Sequence, residues 1–283
     1  RLRQAVKQGA QFNLINPVDD DLLMRVANKA IVAPGALVGI LAQVVKAAAE
    51  FKSVAVPPAL VGVAVEPAVR KLAESLTAGQ NRAIFLGNLA QHHPQASELH
   101  RLAQELGRIV DAKTGFLGEA ANSVGGYLAG ATPTAGAIRG MNALQMLAQP
   151  RKAYLLLHAE MDFDTVDARA ARAAMQSAEL VVAMSPFRHA LEYAQVLLPV
   201  SPFTETGGSF VNTEGRIQSF QGVVRPLGET RPAWKVLRVL GTLLEVPGFE
   251  YDSVEAVRGD CVAVIGDMAS RLDNAIQGEP ATL

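Results

Sequence analysis

The 283 residues are 49% hydrophobic and 19% charged, which is enough apolar material for one large core or two smaller ones. A net charge of −1, with no basic stripe interleaved with aromatic residues, argues against a nucleic-acid partner. Cys261 is the only cysteine, so this chain can form neither an internal disulfide nor a cluster held by cysteines alone, and we expect Cys261 to be a packing residue.

The first 66 residues predict a short α/β unit. The elements expected in chain order are a helix ending at 1–8, a strand at 11–16, a helix through 19–30 after an acidic start, and a helix at 34–50. The apolar stretch 31–45 contains Pro34, Gly35 and Gln43 and is shorter than the roughly 20 residues of a membrane span, so we expect a buried helix and no membrane insertion. The charged start is not a signal peptide, and the missing initiator Met indicates a piece of a longer protein.

The rest of the sequence continues to alternate strands and helices after a Pro-rich connector at 57–65. The predicted strands are 83–87, 153–158, 180–184 and 196–199, and the predicted helices are 96–110, 166–177, 187–194, 234–246 and 254–276. Residues 201–221 are rich in Gly, Thr, Ser and Asn and predict an ordered loop or hairpin. This order favours an α/β fold with parallel, doubly wound sheets, divided into Rossmann-like units at 1–66 and 67–246 and a helical tail at 247–283.

One segment carries the most specific motif of the sequence. Residues 203–218 read FTETGGSFVNTEGRIQ, and GETRPAW follows at 228–234. This pattern resembles the signature of the molybdopterin oxidoreductases, and its wording is most similar to the large iron–sulfur subunit of respiratory NADH:quinone oxidoreductase, or complex I. Residues 119–133, 152–160, 180–187 and 195–200 resemble other blocks of the family. The resemblance covers about residues 10–245 and implies the fold of the formate dehydrogenase type.

The signature residues also suggest how the loop is held. Gly207 and Gly208 can adopt positive φ and allow a tight turn. The polar members of the signature are expected to tie the loop through hydrogen bonds, and they are Glu205, Asn212, Glu214, Arg216 and Gln218. A self-bonded structural loop is the favoured interpretation, and a retained cofactor or partner contact is the alternative.

Two departures from the family pattern concern cofactor recognition. The resemblance implies acidic residues that hold the guanine dinucleotide of the molybdenum cofactor, one after the first strand and one after a Pro-Gly turn. This sequence has Asn16 and Leu37 at those positions. An unpaired guanine edge against leucine would cost about 1–3 kcal/mol. We therefore expect Asn16 and Leu37 to be vestigial, with no cofactor, no metal and no catalytic residue in this chain.

Other polar residues give weaker indications. The adjacent histidines 92–93 are interpreted as loop residues, and His158 as a turn residue, with a vestigial pocket as its alternative. Ser185 and Ser201 lack the sequence context of a nucleophile elbow, which excludes a hydrolase of that type. The glycines at 125–130 do not have the spacing of a dinucleotide fingerprint.

The resemblance implies a role within a larger assembly. Complex I passes electrons from NADH through flavin and iron–sulfur clusters to quinone, and the clusters of this subunit would lie in a missing N-terminal part. This chain would be a non-catalytic scaffold that contacts other peripheral-arm subunits, including the NADH/flavin subunit, on the cytoplasmic side of the bacterial inner membrane. The alternatives are part of a true molybdopterin enzyme of the formate dehydrogenase type and a stand-alone nucleotide-binding module.

Overall fold

The computed structural model describes residues 1–133, 140–271 and 273–274. The chain divides into two compact units. The described residues of the first unit are Arg1–Ala120 and residues 273–274, and the second unit lies within Ala121–Arg271. Both units combine helices with parallel strands, so the predicted α/β class is confirmed.

The first unit holds two parallel strand pairs. Its elements are α1 (Leu2–Lys7), β1 (Asn13–Asn16), β2 (Asn28–Ile31), α2 (Leu37–Lys52), α3 (Pro67–Ala78), β3 (Arg82–Leu86), α4 (Asn88–Gln91), α5 (Ala96–Val110) and β4 (Ala112–Phe116). Strand β1 pairs with β2 and β3 pairs with β4, both in parallel. The strands form two separate two-stranded sheets and not one continuous sheet.

Helix α2 lies at the centre of the core of the first unit. It packs against both α3 and α5, and Val45, Ala47, Ala48 and Ala49 are fully buried. The stretch Pro34–Lys52 is long and apolar enough to cross a membrane by length and composition. This is weak evidence, because a core helix passes the same test and 56% of the apolar window is buried.

Helices α2, α3 and α5 share one core, so the boundary between the units lies later in the chain than the sequence predicts. One hydrophobic cluster includes Val45 from α2, Leu72 from α3 and Leu102 from α5. The sequence predicts a boundary between residues 66 and 67. That boundary would separate α2 from α3 and α5, although all three helices contribute to this cluster. The structure divides the chain between Ala120 and Ala121 instead.

The predicted helix at 19–30 is wrong. Residues 28–31 form strand β2, and Leu23 has a positive φ of 51°. The Asp21 side chain accepts a hydrogen bond from the Leu23 backbone N–H at 2.8 Å. This local bond stabilises a turn, and the apolar spacing that suggested a helix leaves Leu23 69% exposed.

The second unit contains a three-stranded parallel sheet and an antiparallel hairpin. Its elements are α6 (Ser123–Leu128), α7 (Ala143–Ala148), β5 (Ala153–Leu157), α8 (Ala168–Gln176), β6 (Leu180–Ser185), β7 (Val196–Pro199), β8 (Gly208–Val211), β9 (Ile217–Phe220), α9 (Ala233–Leu243), α10 (Val254–Ile265) and α11 (Met268–Arg271). The sheet order is β5-β6-β7, and β8 pairs with β9. A short 3-10 turn at Phe203–Glu205 precedes the hairpin.

The two faces of the three-stranded sheet differ. Tyr154, Leu156 and Val181 are buried in one cluster with Ala174 and Met175 of α8. The opposite face carries apolar side chains that remain exposed, namely Leu155, Leu157, Leu180 and Val196, which are 39–49% accessible. Met184 pairs with Leu157 on this second face and is fully buried, so the face is covered at its carboxyl end and partly exposed elsewhere in the described residues.

Two further helix predictions are corrected in this unit. Residues 187–194 form turns, with Ala190 at φ 63°, and not a helix. The helix predicted over 254–276 ends at Ile265, because Gly266 adopts a positive φ of 68°. Residues 272 and 275–283 of the predicted tail lie outside the described residues.

Candidate functional site

The two positions where the family resemblance places guanine-binding acids are both in the first unit. Leu37 begins α2 and is 7% exposed, as part of the hydrophobic cluster around that helix. Asn16 ends β1, and its side-chain amide donates to the Val18 carbonyl at 2.7 Å. Near the Pro-Gly turn, the His93 Nε2 atom lies 3.1 Å from the Pro34 carbonyl oxygen. Leu37 and Asn16 are therefore both engaged in local structure.

The side chains of the adjacent histidines contact different partners. His92 Nε2 lies 3.5 Å from a Glu119 carboxylate oxygen, and both side chains are 71% exposed. His93 Nδ1 accepts from the Gln95 backbone N–H at 3.0 Å. Within the described residues, no group of three or more His, Cys, Asp or Glu side chains is arranged to hold a metal ion.

The carboxyl edge of the three-stranded sheet gathers His158, Ser185 and the nearby Ser201. His158 has a positive φ of 51°, its backbone N–H donates to Met184 at 2.9 Å, and burial lowers the pKa of its imidazole. Ser185 is 4% exposed and its hydroxyl accepts from the Phe187 N–H at 3.0 Å. Ser201 is 1% exposed, with its hydroxyl 3.4 Å from that of Thr230. The Ser185 hydroxyl stabilises a local turn and the Ser201 hydroxyl contacts Thr230, so both are buried and neither is presented as a nucleophile.

The signature segment forms the predicted hairpin, and Asn212 organises its turn. The Asn212 side-chain oxygen accepts from the backbone N–H groups of Glu214 at 3.0 Å and Arg216 at 2.9 Å. Gly215 has φ 76°, which glycine adopts at no steric cost. The Asn122 side chain, from the earlier Gly-rich family block, accepts from the Val211 N–H at 2.8 Å. The structure thus joins two segments that the sequence singled out separately.

The predicted role of the two glycines is wrong. Neither Gly207 nor Gly208 has positive φ. A Cβ atom on Gly208 would lie 2.7 Å from the Phe220 ring, and one on Gly207 would lie 3.0 Å from the Gln221 side chain. Close packing against the Phe220 ring therefore favours glycine at 208, whereas the flexible Gln221 side chain could move to admit a Cβ at 207. The Phe210 and Phe220 rings meet on this hairpin with centroids 5.0 Å apart.

Of the other polar signature side chains, one accepts a hydrogen bond and three are exposed. Glu205 accepts a hydrogen bond from the Leu227 N–H at 3.1 Å. Glu214, Arg216 and Gln218 are exposed, and in residues 1–133, 140–271 and 273–274 their side chains form no hydrogen bond or ion pair. The expected tying of the loop by Glu214 and Arg216 side chains is therefore not observed, since Asn212 bonds their backbones instead.

Next to the hairpin, the chain returns over the signature segment and forms a cavity of about 490 Å³ that is open to solvent. Val223 N–H donates to the Thr204 carbonyl at 2.8 Å, and Ser201 N–H donates to the Arg231 carbonyl at 2.9 Å, which fixes both ends of the return. The lining includes Glu205, Arg225, Arg231, Trp234, Lys235 and Val254.

The cavity is cationic. Lys235 Nζ lies 5.4 Å from the centre of the Trp234 ring, and the Arg231 guanidinium donates to the Thr230 carbonyl at 2.8 Å. Arg231 and Trp234 belong to the family pattern, but no role was predicted for them, and Arg225 and Lys235 were missed. A signal for the three cations was present only in the concentration of basic residues between 225 and 235.

Comparison with family models assigns most of the chain to one family. A family model described as molybdopterin oxidoreductase matches residues 1–243. The chain belongs to the molybdopterin oxidoreductase family.

Two curated relatives match shorter stretches. The mitochondrial NADH-ubiquinone oxidoreductase 78 kDa subunit of Candida albicans is 41% identical over 66 residues, which cover 23% of this chain and 9% of that protein. A putative formate dehydrogenase of Staphylococcus aureus is 35% identical over 82 residues, which cover 29% of this chain and 8% of that protein. Each match spans less than a tenth of the relative's length.

Solved structures agree on the fold. Acetylene hydratase from Pelobacter acetylenicus superimposes with a TM-score of 0.66 at 13% identity, over 89% of this chain and 46% of that chain. A chain of the formyltransferase/hydrolase complex from Methylorubrum extorquens, solved with methylofuran, gives 0.57 at 20% identity, over 83% and 65%. At these identities the likeness establishes the fold alone.

The cofactor implied by the family name does not fit the residues present. A guanine edge needs a hydrogen-bonding side chain, and Leu37 offers a buried apolar one. The Asn16 NH2 group donates to the Val18 carbonyl at 2.7 Å, and its side-chain oxygen carries no charge where the family resemblance places a carboxylate.

Proposed function

We propose that this chain is a scaffold part of the large iron–sulfur subunit of an NADH:quinone oxidoreductase and that it carries out no catalysis itself. The observation that carries the proposal is Leu37, because its side chain belongs to the hydrophobic core where a cofactor-binding relative would have an acid. The 41% identity to the Candida albicans subunit over 66 residues supports the same assignment.

The rest of the proposal concerns what surrounds the chain. Iron–sulfur clusters would lie in an N-terminal part of the subunit, since this chain has one cysteine and a cluster needs several thiolates. The partners would be other peripheral-arm subunits, including the one that binds NADH and flavin. The assembly would lie peripherally on the cytoplasmic side of a bacterial inner membrane.

A second candidate is part of a molybdopterin-dependent oxidoreductase of the formate dehydrogenase type. The 35% identity to the Staphylococcus aureus protein over 82 residues favours it. Leu37 and Asn16 oppose it, because Leu37 has no acceptor for a guanine edge and Asn16 has an uncharged amide in place of a carboxylate. A guanine ring bound at these positions would need a different set of contacts.

Metal analysis of the full-length natural protein separates the two candidates. We expect iron without molybdenum and co-purification with an NADH-oxidising subunit. Stoichiometric molybdenum would overturn the scaffold proposal in favour of the second candidate. Calorimetry of this chain with guanine and adenine nucleotides is the companion experiment, and sub-millimolar binding would establish a nucleotide-binding module instead.

A further inference from the structure

We propose that the cationic cavity of the second unit, with the apolar side chains beside it, is a docking site for an acidic peptide segment of a partner protein. The inference rests on the proposed scaffold function, which requires a contact with a neighbouring protein, and it specifies the chemistry of that contact.

The side chains that line the cavity carry more positive than negative charge. Arg225, Arg231 and Lys235 are exposed at the cavity, and none of them forms an ion pair within the described part of the chain. The one acid in the lining, Glu205, already accepts the Leu227 N–H. An excess of positive charge in a concave surface attracts anions, and guanidinium groups bind carboxylates through paired hydrogen bonds.

A set of exposed apolar side chains lies in the chain next to the cavity residues. Val223, Val224 and Leu227 flank the cavity residues Arg225 and Pro226 in the chain and are 81%, 58% and 78% exposed. This segment is fixed, since Val223 N–H donates to the Thr204 carbonyl at 2.8 Å. Exposed apolar groups next to a charged rim are typical of protein interfaces.

The positive charge and the neighbouring apolar side chains together favour a peptide over a small anion as the occupant. A small anion would meet the cations of the cavity and leave Val223, Val224 and Leu227 in water. A peptide that alternates carboxylates with apolar side chains covers both sets at once. The Trp234 ring forms part of the cavity wall, so an occupant changes its surroundings.

Trp234 also makes the proposal measurable, because it is the only tryptophan in the chain. The full 283-residue chain is titrated with a synthetic peptide of alternating glutamate and leucine while Trp234 emission is followed. A peptide of alternating glutamine and leucine is the control ligand. We expect saturable binding of the glutamate peptide, which weakens as the ionic strength rises from about 0.05 to about 0.5 M.

Variants locate the site. Arg225→Gln and Arg231→Gln are each expected to weaken binding about fivefold, the effect of losing one partly exposed ion pair. Arg225→Lys retains the charge and should restore most of the affinity. Arg169→Gln changes an arginine that is exposed on α8 and has no ion pair in the described residues, so it should leave affinity within about twofold of the parent. Far-UV circular dichroism establishes that each variant is folded.

Several outcomes overturn the docking proposal. These are equal binding of the glutamine peptide, equal weakening by Arg169→Gln, or displacement of the peptide by inorganic phosphate that itself saturates Trp234 emission. The last result would identify a small-anion site. Failure here is distinct from failure of the scaffold function: molybdenum in the full-length protein rejects the latter whatever Trp234 reports.

Discussion

Replacing Leu37 with aspartate tests whether this position belongs to the core or to a ligand site. The substitution restores the type of residue that the family resemblance places here. If Leu37 is a core residue, as its 7% exposure indicates, Leu37→Asp destabilises the first unit and gains no affinity for guanine nucleotides.

The magnitude follows from the surroundings of Leu37. Removing a buried leucine side chain costs about 2–5 kcal/mol. A carboxylate without a partner in that position adds about 1–3 kcal/mol. The N-terminus of α2 offsets at most about 1 kcal/mol of this through its dipole. The free energy of unfolding should therefore fall by about 2–7 kcal/mol, and we expect about 4 kcal/mol.

Urea unfolding followed by far-UV circular dichroism, with amide hydrogen exchange of α2, measures the loss. Gly39→Asp is the matched control, because it places the same carboxylate in the first turn of α2 on an exposed position with open space around a Cβ. It should be neutral or stabilising by about 0.3–1 kcal/mol. A Leu37→Asp protein within about 1 kcal/mol of the parent, or one that binds guanine nucleotides, would refute the core assignment.

Three other substitutions test the signature hairpin and the helix behind it. Asn212→Ala leaves two turn N–H groups without their acceptor and should lower the free energy of unfolding by about 1–3 kcal/mol in urea titrations followed by tryptophan emission. Gly208→Ala forces a Cβ to 2.7 Å from the Phe220 ring and should cost about 1–3 kcal/mol in the same assay. The backbone N–H of Glu255, followed by the Gln221 amide, lowers the pKa of the Glu255 carboxyl. Its stabilising effect is present above its unfolded pKa and lost as pH falls through the lower folded pKa, so Glu255→Gln should remove that acid dependence from amide exchange in α10.

Each of these substitutions has a control in the same unit. Thr213→Ala changes an exposed turn residue and should be near neutral. Gly126→Ala introduces a Cβ into open space in α6 and should be neutral or stabilising by about 0.4–1 kcal/mol. Glu229→Gln removes an exposed carboxylate and should leave the acid dependence of α10 intact. Equal effects of control and test variants would contradict the contacts assigned to Asn212, Gly208 and Glu255.

The elements that the sequence predicted well are those whose signal is local. Helix α5 occupies Ala96–Val110 as predicted, because its apolar residues recur at helical spacing and fill one face. Strands β5 and β6 are also close to their predicted ranges, since short apolar runs between polar turns suit buried parallel strands. The family pattern at 203–218 likewise marked the hairpin correctly.

The elements that were missed depend on distant partners. Strand β2 is only four residues long, and it is defined by its pairing with β1. Its own sequence is too short to show the alternation of a strand, and the apolar spacing before it suggested a helix. Helix α3 follows a Pro-rich connector and was not predicted, although Pro67 stands at its first turn. The cavity was missed for the same reason, because Arg225 and Lys235 converge only when Val223 bonds to Thr204.

The partly exposed face of the β5-β6-β7 sheet affects the behaviour of the isolated chain in solution. Leu155, Leu157, Leu180 and Val196 together present an apolar surface to water. A net charge of −1 supplies little long-range repulsion between molecules at neutral pH. Self-association should therefore increase as the concentration rises, and a polar substitution such as Leu155→Lys should raise the concentration at which light scattering increases. One sheet face thus contributes both to the core, through Met184, and to the colloidal behaviour of the chain.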